Sequence, residues 1–340
     1  MSASLDTARA RANTARYRPG QRAGHYESFF QRANHPDRPL AFWIRYTLFS
    51  PEDRPDAAMG ELWAVFFDGE RNRHWAVKRE VPMGDCRFDA DAFSVRVGEA
   101  VLGPGHLKGA AASGGHHLSW QLTFDGAQPP LFLLPLGLYN TGFPKAKSLV
   151  GLPLARYRGF IAADDRRIEI DDWIGSQNHN WGRRHTDHYA WGQVAGFDTH
   201  PESFLEVATA RIRIGRGWSP FLTTLVLRHR GEEIRMNSLP RMLRARGSFC
   251  YFLWSFRSED RRHRVEGTIS APREAFVGLN YLNPPGGDKH CLNTKIAACE
   301  IRVTDKRAGG TAAPDVLFTR HRAAFEILTD ERDHGVAIQA

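Results

Sequence analysis

The sequence predicts a mainly-β protein, and three observations carry that reading. Apolar residues recur with period two rather than 3.6 through most of the chain. Strand-like runs follow one another at intervals of roughly ten to fifteen residues, separated by Gly, Pro, Asp and Asn. Thirty-one glycines and nineteen prolines in 340 residues supply many tight turns.

The segments follow in order. The leader MSASLDTARARANTARYRPGQ is polar, rich in Arg and Ala and without an apolar middle, so it is not a secretory signal. It reads as a flexible basic arm over residues 1–22, with a composition that also resembles a transit peptide. A short helix is expected at 22–33. AFWIRYTLF (41–49) is apolar on nearly both faces and FCYFLWSFRS (249–258) on both, as strands sandwiched between a core and another element would be. The cleanest half-buried strand sets His117, Ser119, Gln121 and Thr123 against Leu118, Trp120, Leu122 and Phe124. Further strands are expected at ELWAVFFD, FSVRVGE, RRIEIDDWI, YAWGQVAGF, FLEVATARIRI, FLTTLVLRH, HRVEGTISA and LNTKIAACEIRV. NTGFPKAKSLVGLPLARYRG (140–159) interrupts the pattern and suggests two domains, 23–155 and 156–340. Each would hold about seven to nine strands, enough for one barrel or sandwich; a single large sandwich is the competing layout.

Composition narrows the function classes. With 42% hydrophobic and 25% charged residues the chain is an ordinary globular one. No apolar run approaches the roughly 18 residues of a transmembrane helix. Cysteines 86, 250, 291 and 299 have neither metal-ligand spacing nor the density of a disulfide framework, so a reduced, cytoplasmic setting is expected. The net charge of +8 is carried largely by arginines alternating along strands. No nucleic-acid partner is expected from that pattern, although weak contact with an anionic membrane surface is compatible with it.

Chemistry concentrates in QNHNWGRRHTDHYAWGQ (177–193), which holds three histidines, three aromatics and four side-chain amides. His179, His185 and His188 could supply three imidazoles to a zinc ion. On a strand, however, residues 185 and 188 point to opposite faces, and no nearby Cys or Glu completes a zinc pattern. No metal is therefore expected. If YAWGQVAGF is a strand, Tyr189, Trp191 and Gln193 share one face, a wall that can stack on an unsaturated ligand and anchor one polar group. The alternative is that both tryptophans fill cores and the asparagines cap turns. On the next strand Glu206 shares a face with Phe204, Ala208 and Ala210; desolvation there would raise its pKa toward the range of a general acid. It could equally pair with Arg156 or Arg158. The chain lacks a GxSxG elbow, a phosphate loop, a dinucleotide fingerprint and HExxH. No cofactor is expected, which leaves positioning and proton transfer as the available chemistry.

SQNHNWGRRHTDHYAWGQ, together with FPKAKSLVGLPLARYRGFI, RRIEIDDWIG and GHLKGAAASGGHHLSWQLTF, resembles the lipocalin-like (calycin) superfamily of carotenoid 1,2-hydratase and, more distantly, tocopherol cyclase. The resemblance covers roughly residues 105–200. It implies two tandem lipocalin-like antiparallel β-barrels or half-barrels with a hydrophobic site in or between them. It also implies cofactor-free, proton-driven addition or ring closure on isoprenoid chains, and related fungal enzymes guide pericyclic cyclisations. His179, Asn180, Trp181 and Gly182 match the family motif, but Asn178 stands where the hydratases carry the proton-donating aspartate. An amide cannot protonate an alkene, so Glu206, His179 or His185 would have to substitute.

Two functions follow. The first is a cofactor-independent hydratase, isomerase or cyclase acting on an isoprenoid- or polyketide-like substrate. Its catalytic residues would be His179, His185 and Glu206, and its binding residues Asn178, Asn180, Trp181, Tyr189, Trp191 and Gln193. The second is a non-catalytic lipid- or pigment-binding protein, which Asn178 favours. The sequence specifies neither the hydrophobic small-molecule ligand nor an oligomeric state.

Overall fold

A computed structural model describes residues 2–308 and 313–340. The chain opens with the helix α1 (Ser2–Ala12). It then forms β1 (His25–Asn34), β2 (Leu40–Ser50), β3 (Met59–Asp68), β4 (Arg73–Pro82), β5 (Cys86–Phe88), β6 (Val95–Val97), β7 (Ala100–Gly103), β8 (His106–Ser113), β9 (His116–Asp125), β10 (Leu131–Phe132), β11 (Ala146–Ala163) and β12 (Arg166–Gly182). These twelve make one antiparallel sheet, ordered β4-β3-β2-β1-β12-β11-β9-β8-β7-β6-β5 with β10 against β11. The sheet curls into a nearly closed barrel; the Lys78 amide of β4 donates to Ser113 Oγ of β8 at 2.9 Å.

The second half comprises β13 (His188–Ala195), β14 (Phe204–Arg211), a small β15 (Arg213–Ile214) and β16 (Gly217–Trp218) hairpin, β17 (Leu222–His229), β18 (Glu232–Met236), α2 (Leu239–Arg244), β19 (Arg246–Cys250), β20 (Leu253–Glu259), β21 (His263–Ser270), β22 (Val277–Leu282), β23 (Asp288–Asp305) and β24 (Asp315–Thr329). Its sheet runs β18-β17-β14-β13-β24-β23-β21-β20-β19, with β22 against β23. The protein is thus mainly β, two tandem lipocalin-like barrels or half-barrels with few short helices. No helix of the described residues is long and apolar enough to cross a membrane.

Period two decides which side chains fill which space. In the first barrel Phe29, Phe42, Tyr46, Trp75, Trp120, Tyr157 and Trp173 point inward and pack its interior. In the second, Trp254, Phe256, Leu292 and Phe325 do so. The opposite faces of β1, β2 and β3 meet the outer faces of β13, β22, β23 and β24 in a third apolar layer with Phe30, Trp43, Trp63, Trp191, Leu279 and Ala324. Because both faces are covered, β1 and β2 are buried at every residue, as expected for 41–49. That double burial also explains why 22–33 is not a helix: His25–Asn34 is a strand whose two faces serve different cores. FCYFLWSFRS, by contrast, is an edge hairpin turning at 251–252, with Leu253 exposed.

The sheets divide at 183–187 rather than at 155/156, because β11 and β12 complete the first barrel. The Pro and Gly residues that suggested a boundary instead bend a continuous strand, with register shifts at Val150/Leu152, Pro153/Ala155 and Tyr157/Gly159. Nor is the leader a free arm. Arg9 Nη2 donates to the Gly126 and Gln128 carbonyls at 2.7 and 2.8 Å. Asn13 and Gln177 exchange side-chain hydrogen bonds at 2.9 and 2.7 Å, and Ala12–Ala15 are buried.

Close strand approach sets one sharp constraint. A Cβ on Gly175 would lie 1.8 Å from the Arg32 carbonyl oxygen on β1. Gly175→Ala is expected to cost about 3 kcal/mol by overpacking, read as a lower urea midpoint at unchanged slope.

Candidate active site

Parity places the residues of 177–193 on two sides of a strand. On β12, Asn178 and Asn180 lie opposite Phe30 and Ser28 of β1 and face the second barrel, whereas His179 and Trp181 lie opposite Phe29 and Glu27 and face the first barrel's interior. On β13, Tyr189, Trp191 and Gln193 share a face with Ala210, Ala208 and Glu206 of β14 and with Glu326 of β24. These outer faces enclose a cavity of about 750 Å³ between the barrels. Its lining includes Tyr26, Phe30, Trp43, Arg45, Asn178, Asn180, His185, Tyr189, Trp191, Glu206, Tyr281 and Glu326.

Glu206 is the chemical centre of the polar end. Its Oε1 accepts from Trp191 Nε1 at 2.8 Å and its Oε2 from Gln193 Nε2 at 2.7 Å. Burial pushes its pKa up to about 7, a rise that the two donors and nearby Arg32 oppose and the Glu326 charge reinforces. Gln193 is held in one orientation. Its carbonyl oxygen accepts from Arg32 Nε at 2.7 Å and Ser176 Oγ at 2.6 Å. Its amide donates to Glu206 and, at 2.8 Å, to Asn178 Oδ1. Asn178 Nδ2 in turn donates to Ser176 Oγ at 2.9 Å. Every lone pair and proton of the Gln193 amide is used, which fixes the network. Arg156 and Arg158 pair with Asp172 and leave Glu206 alone.

Across Trp191, Glu326 Oε1 accepts from Lys295 Nζ at 2.8 Å and from Asn293 Nδ2 at 3.0 Å. Burial lowers the pKa of Lys295. The aromatic end is built around His185, whose ring stacks on Tyr26 with centroids 4.0 Å apart and lies 5.6 Å from Tyr281. Arg45 sits over Tyr281 at 4.5 Å and binds Ser28 Oγ through Nε at 2.8 Å. Burial, helped by Arg45, lowers the His185 pKa to about 3, so the imidazole is neutral near pH 7.

The structure therefore brings together Asn178, Asn180, His185, Tyr189, Trp191 and Glu206 around the cavity, with Gln193 directly behind Glu206. It does not bring His179 or Trp181 there. His179 Nδ1 lies 2.8 Å from the Ala12 carbonyl and Nε2 2.8 Å from Glu27 Oε1, with the ring stacked on Phe29. Trp181 receives the Arg16 guanidinium over its ring at 5.4 Å. Both residues fasten the N-terminal segment to the first barrel. His188 Nδ1 turns to the Leu328 carbonyl, so the three histidines do not converge. The one His/carboxylate group with ligand-like spacing among the described residues is His200, His229 and Asp315. None of these lines the cavity, and the Arg230 guanidinium lies 2.7 Å from the Asp315 carboxylate.

Sequence reasoning missed Arg32, Arg45, Ser176, Tyr281 and Glu326. The signal that singled out Glu206, a charge on an otherwise apolar strand face, has counterparts in Arg45 within AFWIRYTLF and Glu326 within AAFEILT.

No family model matches the chain. It is 24% identical over 290 residues to the uncharacterized protein Rv0493c of Mycobacterium tuberculosis, covering 83% of this chain and 82% of that one. Among solved structures it is similar to kievitone hydratase from Nectria haematococca, with 10% identity, a TM-score of 0.57 and coverage of 94% and 98% of the two chains. CghA gives 10%, 0.55 and 92% and 89%. An AttH-like protein of Nitrosomonas europaea gives 12%, 0.53 and 90% and 91%. At such identities the likeness is one of fold, and it extends over nine-tenths or more of this chain: the protein shares its overall architecture with kievitone hydratase, CghA and the AttH-like protein.

Proposed function

We propose that the cavity between the barrels is the active site of a cofactor-independent enzyme that moves a proton on a hydrophobic, isoprenoid- or polyketide-like substrate, in hydration, isomerisation or cyclisation. The observation that carries this reading is Glu206, a buried carboxyl with a pKa near 7 in an aromatic cavity. In a hydration, the Glu206 carboxylic acid gives its proton to an alkene carbon. Water adds to the resulting cation and returns a proton to the carboxylate. Trp191 Nε1 and Gln193 Nε2 already donate to both oxygens, so the carboxylate that develops is stabilised without rearrangement. The π faces of Tyr26, Tyr189, Trp191 and Tyr281 would steady positive charge on the substrate. Gln193, Arg32, Ser176 and Asn178 are positioning residues. The likeness in fold to kievitone hydratase supports the reading.

The second reading, a lipid or pigment carrier, is favoured by Asn178, because by the motif's resemblance to carotenoid 1,2-hydratase an amide stands where those enzymes carry their proton-donating aspartate. Incubating the protein with a solvent extract of its host in D2O distinguishes the two. Catalysis yields extract components that carry solvent deuterium or the mass of added water, and does so with many turnovers. A carrier retains one component at up to one equivalent, without mass change.

A further inference from the structure

The mouth of the cavity is walled by three segments from different parts of the chain: 136–147, the hairpin region 211–221, and 238–246 containing α2. Each contributes lining residues, among them Phe143, Arg213 and Leu239. Six of the nine large apolar side chains exposed among the described residues lie on these segments: Leu136, Phe143, Ile214, Trp218, Leu239 and Leu243. Ile214 is 63% exposed and Phe143 59%. Phe143 and Leu239 line the cavity themselves, and the other four each adjoin a lining residue in the chain (Pro135, Arg213, Ser219, Met242). Apolar groups scattered singly over a surface need no explanation, but such a gathering beside one cavity does.

The charge on the same segments is one-sided. They hold Lys145, Lys147, Arg211, Arg213, Arg216, Arg241, Arg244 and Arg246 and not one Asp or Glu. Without these eight, the chain's 46 Lys and Arg would number 38, equal to its 38 Asp and Glu. The excess positive charge of the protein is thus matched by the rim alone. Lys145, Arg213, Arg216, Arg244 and Arg246 are exposed. Arg211 and Arg213 stack over Trp218 at 4.3 and 5.1 Å, setting guanidinium and indole side by side at the base of the hairpin.

We propose that this rim docks on the surface of an anionic lipid bilayer, so that the cavity opens into the membrane and takes its substrate from there. Exposed Trp, Phe, Ile and Leu would enter the headgroup–acyl boundary while arginines meet lipid phosphates, the division of labour of an interfacial anchor. A soluble protein that handles a water-insoluble chain needs such a route, and a cavity mouth coinciding with the apolar, basic patch provides it. The proposal rests on reading the cavity as a site for a hydrophobic substrate.

The test is sedimentation of the full chain, without substrate, with vesicles of phosphatidylcholine alone and of phosphatidylcholine with phosphatidylglycerol. Binding is expected to the anionic vesicles, weakened by salt. It should fall about tenfold or more in Trp218→Ser/Leu239→Ser and, separately, in Arg216→Glu/Arg244→Glu. These positions are exposed or at the surface, and circular dichroism verifies that the variants fold. Glu206→Gln is expected to bind vesicles like the parent. Failure of the parent to sediment with anionic vesicles, binding by the double variants undiminished from that of the parent, or concentration-dependent self-association that disappears in Trp218→Ser/Leu239→Ser without vesicle binding would each overturn the proposal. Turnover by a protein that binds no vesicle leaves the assignment of the cavity standing, so the two failures are distinguishable.

Discussion

Glu206→Gln is expected to lower the rate of deuterium or water incorporation by about 10²–10⁴-fold, the usual contribution of a positioned general acid. The substitution keeps the shape of the side chain and one of the two hydrogen bonds from Trp191 and Gln193, so ligand capture should survive while turnover does not. In the parent, activity should fall as pH rises through about 7, because the proton to be donated is lost there. Stability carries the same signature. The folded-state pKa of about 7 lies above the ordinary value of 4.5, so the folded protein binds more protons than the unfolded chain between those limits. Stability from this group is full below about 4.5 and declines as pH rises through 7, by about 3 kcal/mol in all. Thermal melts of parent and Glu206→Gln across that window should show the decline in the parent alone.

His179→Ala is expected to destabilise the protein by about 3–5 kcal/mol, because it leaves a buried carboxylate short of a partner. Glu27 accepts from the Arg16 amide at 2.7 Å and the Tyr17 amide at 2.9 Å, and lies 2.8 Å from His179 and 3.1 Å from His25. Burial alone would raise its pKa, but the hydrogen bonds and charges of the two histidines hold it at about 2. The stabilisation this gives is present above the ordinary value of 4.5 and is lost as pH falls toward 2, so the parent should lose this contribution in acid. The loss in His179→Ala should appear in the melting temperature and in protease access to residues 1–17. Were His179 the proton donor, it would appear in turnover at an unchanged melting temperature.

Much of the architecture is legible because period-two patterns record which residues face a core. The face shared by Tyr189, Trp191 and Gln193, and Glu206 among alanines on the neighbouring strand, both follow from that period. The residues that complete the site were not legible, for a physical reason. Arg32 and Arg45 come from β1 and β2, and only the docking of one barrel on the other brings them to β13; Glu326 and Tyr281 reach it through pairings between strands far apart in sequence, β24 beside β13 and β22 on β23. The same docking hid β1: a strand buried on both faces shows no alternation between apolar and polar residues. His179 illustrates the reverse error. A histidine beside Asn178 in sequence is on the opposite side of the strand, and its partners, Ala12 and Glu27, are more than 150 residues away. The domain boundary failed because proline and glycine mark bulges within a long strand as readily as they mark its end.

The most direct test of a proton-holding carboxyl between the barrels is the titration of Glu206 itself, as the infrared difference between parent and Glu206→Gln in the carboxylic-acid C=O region from pH 5 to pH 9. A protonated carboxyl band that disappears with a midpoint near pH 7 is the predicted result. A carboxylate already ionised at pH 5 would contradict the assignment, since Glu206 would then have no proton to give at neutral pH.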